Sequence, residues 1–98
     1  MHVLHYHDTF PFSAGGPIRA VMDLSAALTR AGHRATICSF EVPDAPPDWL
    51  APLDSAPRDG LPRVLHIPRP DSRLGAYSAA HRPLLDRLVR DADIVHLH

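Results

Sequence analysis

The chain has 98 residues, which leaves room for one small domain. A hydrophobic fraction of 45% with 21% charged residues excludes an intrinsically disordered chain. A net charge of −1 excludes a general attraction to nucleic acid or to anionic lipid.

The ten basic residues are all arginine, and ten of the eleven acids are aspartate. The single cysteine, Cys38, rules out an internal disulfide framework and a multi-cysteine metal site. It sits in the apolar run Ala35-Thr36-Ile37-Cys38 and reads as a small buried hydrophobe. No stretch approaches the roughly 20 apolar residues of a membrane span. The chain opens straight into a strand-like pattern without a signal-peptide profile, so a cytoplasmic location is the expectation.

The first element, His2-Val3-Leu4-His5-Tyr6-His7, reads as a strand. Asp8 to Gly16 is a loop with Pro11, Ser13 and the pair Gly15-Gly16. A helix is expected from Pro17 to Ala31. Pro17 suits a first helical position, where its missing N–H costs nothing. Ile18, Val21, Met22, Leu24 and Leu28 supply its apolar face, and Arg19, Asp23 and Arg30 a polar stripe. Gly32 is placed to end it.

Arg34 to Phe40 is a second strand, nearly continuous in apolar character, as a buried parallel strand would be. Glu41 to Leu61 carries five prolines and reads as a long irregular connection with at most a helical turn around Trp49-Leu50. Arg63 to Ile67 is a third strand. A second helix is expected from about Leu74 to Arg90, kinked or restarted by Pro83. Asp93 to His98 is a fourth strand.

Strands separated by helical connections mean a parallel sheet with right-handed crossovers. The fold class is therefore α/β, a Rossmann-like parallel sheet of about four strands in the order β-α-β-loop-β-α-β. Two helices cover four parallel strands incompletely, so residues 1–98 read as the front of a larger domain.

Ligands of open α/β sheets bind beyond the carboxyl ends of the strands. Ser13-Ala14-Gly15-Gly16-Pro17 stands there, and two glycines before a helix let the backbone approach an anion. It is neither the dinucleotide fingerprint nor a P-loop, and by spacing alone it is a tight turn or a phosphate- or carboxylate-binding turn. The missing fingerprint also argues against a nucleotide-dependent oxidoreductase, as does Cys38-Ser39-Phe40 where a ribose-binding carboxylate would stand.

Eight histidines are many for this length. His5 and His7 lie on one side of the first strand, and His96 and His98 on one side of the fourth. With strand order 3-2-1-4 these strands are neighbours. Such pairs pack in the core, line a cleft or chelate a transition metal; packed or cleft-lining histidines are the expectation and no metal is assigned. His2, His33, His66 and His81 read as ordinary surface or core residues. Asp8 either accepts hydrogen bonds from a ligand or shapes its loop. Arg82, Arg87 and Arg90 alternate with Asp86 and Asp91 and read as a solvated face, with contact to anionic lipid as the other reading.

Two stretches carry a family resemblance. Gly15-Gly16, followed by a helix of the type L-x-x-A-L-x-x-x-G-H through Gly32-His33 and then a strand, resembles the opening of family 4 glycosyltransferases of the GT-B fold. Asp93-Ile94-Val95-His96-Leu97-His98 is similar to the D-x-V-H-x-H strand of the same family. Residues 41 to about 78 carry no motif of it.

The resemblance implies the first part of the N-terminal, acceptor-side domain of a two-domain retaining transferase that needs no metal or other cofactor. It implies a UDP- or GDP-linked nucleotide-sugar donor and a carbohydrate or lipid-linked acceptor, with peripheral contact to the inner face of a membrane. Gly15 and Gly16 take the family's role of approaching the donor diphosphate, while His7, Asp8, His96 and His98 line the acceptor cleft. The family's later catalytic-site histidine and its E-x7-E motif have no counterpart here. No catalytic residue is assigned, and the chain alone is expected to be inactive. The alternative is a stand-alone module that binds an anion, or self-associates through its fourth strand, without catalysis.

Overall fold

The computed structural model describes residues 1–7, 16–39, 45–67 and 82–97, and of His7, Gly16, Pro17, Arg82, Leu84 and Leu97 it describes the backbone alone. The strands are β1 (His2–His7), β2 (Arg34–Ser39), β3 (Leu50–Ala51), β4 (Arg63–His66) and β5 (Ile94–Leu97). The helices are α1 (Gly16–Arg30) and α2 (Arg82–Asp91), with a 3-10 turn at Pro47–Trp49. All strands are parallel, in the order β3-β4-β2-β1-β5. The architecture is the α/β, Rossmann-like one expected, with the four main strands in the expected order.

One strand was not expected. Leu50–Ala51 adds a fifth, edge strand beside β4, inside the connection read as irregular. Prolines surround it, but two residues between Pro47 and Pro52 suffice to pair with the free edge of β4. The helical turn around Trp49 is present as the short 3-10 turn.

The two helices pack on opposite faces of the sheet. On one face, Ile18 and Val21 of α1 meet Ile37 and Val64, joined by Met22, Ala45 and Trp49. On the other, Leu88 and Leu85 of α2 meet Leu4, Cys38, Leu65 and Ile67. Alternation along each strand sorts the side chains: Leu4 and Tyr6 face α2, Val3 and His5 face α1. β2 is buried from Ala35 to Ser39, as a parallel strand covered on both faces should be.

The buried stripe of α1 differs from the expected face. Ile18, Ser25 and Thr29 lie on one line of the helix, seven and eleven residues apart, and all three are buried. Leu24 points about 120° away from that line and is 47% exposed. The Thr29 hydroxyl, one of the two polar groups turned inward, donates to the carbonyls of Ser25 and Ala26.

The helix ends as its sequence indicates. Gly32 adopts φ +92°, its N–H bonds to the Thr29 carbonyl, and the His33 N–H returns to the Leu28 carbonyl. This is a Schellman closure. Pro83 is the second residue of α2 and starts the helix. The part of the expected second helix before Arg82 lies outside the described residues.

Candidate functional site

The chain runs from β1 outward to β2 and β4, then returns to place β5 on the other side of β1. The strand order reverses between β1 and β5, and crevices open at such points beyond the carboxyl ends of the strands. β1 ends there at His7 and β5 at Leu97.

α1 begins at Gly16, nine residues after the end of β1 in sequence, and runs for 15 residues. Its first turn contains no acidic residue, so no carboxylate of its own competes for the free N–H groups at its start. Gly16 is thus the first residue of the helix. Gly15, Asp8 and His98 lie outside the described residues.

The histidine arrangement is partly visible. β1 and β5 are neighbours, with His5 opposite His96. Their rings lie 5.5 Å apart at an interplanar angle of 52°. His5 is fully buried and His96 exposed, so the pair runs from the core beneath α1 to the surface. The His7 backbone pairs with Ser39 of β2. Among the described residues no three His, Cys, Asp or Glu side chains converge as a metal site.

The opposite, amino end of the sheet holds a polar network that sequence reasoning missed. His2, read as a surface or core residue, is buried. Its Nδ1 lies 3.2 Å from the Asp91 carbonyl, which can only accept, so Nδ1 carries the proton. Its Nε2 lies 2.8 Å from Thr36 Oγ1 and must then accept the Thr36 hydroxyl proton. Arg63 Nε and one Nη donate to the same Thr36 oxygen at 3.2 and 3.0 Å. The other Nη donates to the Ser55 carbonyl. Each of the three Arg63 nitrogens, the Thr36 hydroxyl and His2 Nδ1 thus donates at least one bond.

Electrostatics agree with these assignments. Burial lowers the His2 pKa below 6.5, against the pull of the Asp91 carbonyl, and the Arg63 cation lowers it further. Burial also lowers the Arg63 pKa. It pushes the Cys38 thiol up to about 12, so Cys38 is an unreactive thiol at neutral pH. The only sequence hint of the network is position: His2, Thr36 and Arg63 alternate with apolar neighbours so as to fall on the α2 face.

A comparison with protein families decides the kinship of the chain. Residues 14–98 match the model of Glycosyltransferase Family 4. The chain belongs to glycosyltransferase family 4. The match begins two residues before α1 and runs through β5, and so includes both stretches that carried the resemblance. Neither a search of curated proteins nor one of solved structures finds a match. Among the described residues, no helix of this family 4 chain is long and apolar enough to cross a membrane.

Proposed function

We propose that this family 4 chain forms the acceptor-side domain of a retaining, metal-independent glycosyltransferase of the GT-B type, and that its Gly15-Gly16 turn approaches the diphosphate of a UDP- or GDP-linked sugar. The observation that carries this reading is the start of α1, free of acidic residues, beside the point where strand order reverses. When a sugar leaves a nucleoside diphosphate, negative charge grows on the diphosphate oxygen as the bond to the sugar C1 breaks. Backbone N–H groups at a helix start are already aimed at such charge and need not reorganise. Glycine lets the diphosphate come close to the main chain.

His7, Asp8, His96 and His98 are the residues proposed to line the acceptor side, offering hydrogen bonds to sugar hydroxyls. No residue of the chain is proposed as catalytic. Most of donor binding, and the catalytic groups, are assigned to a partner domain, so the chain by itself is expected to be inactive. The proposed setting is the cytoplasm, with peripheral contact to the inner membrane face when the acceptor is lipid-linked.

The test is an amide NMR titration with UDP and GDP in the millimolar range. Saturable shifts confined to the Gly15, Gly16 and Ile18 amides, abolished by Gly16→Asp, are expected for one nucleotide. Unchanged Gly16 and Ile18 resonances with both nucleotides would refute the diphosphate role.

A further inference from the structure

We propose that the amino end of the sheet carries a second binding site, for a small carboxylate, built on Arg63. It lies at the opposite end of the strands from Gly16 and does not depend on the sugar-transfer reading.

The argument begins with a charge imbalance. Arg63 is 1% exposed and remains a cation at any physiological pH. Buried cations are as a rule paired with an anion, because removing one from water is costly. Arg63 has no such pair: among the described residues the one ion pair is Arg34–Asp59, on the surface. Its partners are the Thr36 hydroxyl and the Ser55 carbonyl, both neutral. A guanidinium has five N–H donors, so among the described residues these bonds leave two without an acceptor.

Arg63 borders a cavity of about 190 Å³ between the loop before β4 and the last turns of α2. The Ser55 side-chain oxygen is buried, has no hydrogen-bond partner among the described residues, and belongs to a residue lining the same cavity. Arg87 of α2 adds a second cation to the lining, and Leu53 and Leu88 give it an apolar portion. A hydroxyl and a cationic fork with spare donors match the two oxygens of a carboxylate. Asp54 and Asp91 also line the cavity and disfavour a ligand carrying more than one negative charge. At roughly 30 Å³ per water-sized group, the space suits a carboxylate with a short alkyl tail.

The experiment titrates the 98-residue chain with acetate, propionate and butyrate, with sodium chloride and phosphate at matched ionic strength as comparisons. The readouts are the Arg63 Nε–H and Ser55 amide resonances. The expected result is a saturable shift of both with a carboxylate, and none with chloride. Ser55→Ala, which removes a group with no partner in the fold, should weaken binding by about threefold or more. Arg63→Gln should abolish it; where that variant does not fold, Ser55→Ala decides. Carboxylates acting no differently from chloride, tighter binding of phosphate, or unaltered affinity in Ser55→Ala would each overturn the proposal. Shifts at Gly16 alone would count against this site while leaving the nucleotide reading intact.

Discussion

Thr36 shows how much one hydroxyl can hold. It accepts from two Arg63 nitrogens and donates to His2, all out of contact with water. Thr36→Val keeps the shape but strands a cation and an imidazole nitrogen, and should cost about 2–3 kcal/mol in urea unfolding. Thr36→Ser keeps the oxygen and should cost less than half of that. Equal losses in the two variants would mean that the methyl, not the hydroxyl, matters. His2 gives the network a pH dependence. Its folded pKa lies below 6.5, so the unfolded chain takes up the proton first as pH falls. Stability should be flat above that value, decline as pH drops through about 6.5, and level off once folded His2 is itself protonated. Protonated Nε2 would face an oxygen whose acceptor sites Arg63 already fills. Urea midpoints measured between pH 7.5 and 5 check this, and His2→Gln should reduce the slope; an unaltered slope would acquit His2. Little of the network was legible in advance. An arginine opening a strand reads as a surface residue, and only the meeting of Thr36, Ser55 and His2 across distant segments makes its burial tolerable.

Among the elements, legibility followed periodicity and punctuation. The four main strands and α1 were readable because apolar runs of four to six residues and one helical stripe are signals carried within a segment. Gly32 marked the end of α1 for a backbone reason that the structure bears out. An added Cβ at Gly32 meets nothing within 4 Å, so the penalty of Gly32→Ala is purely conformational. That variant should lose about 1 kcal/mol by denaturant midpoint, and a neutral or stabilising result would show that the turn relaxes to negative φ. β3 was not readable, since a strand of two residues has no period and owes its existence to the edge of β4. Leu24 was misread because hydrophobicity was counted without its angle, while Ser25 and Thr29 took the inward places. Of the candidate site, the adjacency of β1 and β5 followed from strand order, whereas the placing of His5 opposite His96 is a matter of register that the sequence did not reveal. Asp8, Gly15 and His98 fall outside the described residues and test nothing.

At the level of the whole molecule, burial is lopsided. β2 and β4 contribute fully buried residues from both faces, whereas β5 presents Ile94 at 46% and Val95 at 39% exposure. Val89 of α2 is also open. A radius of gyration of 13.0 Å is that of a compact chain of this length, so the asymmetry is one of cover and not of collapse. Native-state hydrogen exchange should therefore be slowest at the β2 amides, from Ala35 to Ser39, and much faster at β5. Protection in β5 equal to that in β2 would show that its open side is covered in solution.

The donor-to-acceptor chain from Arg63 through Thr36 and His2 to Asp91 has a further consequence, for assembly. Its members come from β4, β2, β1 and the end of α2. A strand that slips by one residue turns its whole side-chain set to the other face. Slipping β1 would carry His2 away from Thr36, and slipping β4 would drive the Arg63 charge toward the aliphatic side chains under α1. Apolar residues tolerate a wrong neighbour of similar size; this relay does not. It acts as a checksum on strand alignment, satisfied by one pairing of the sheet and violated by its near misses.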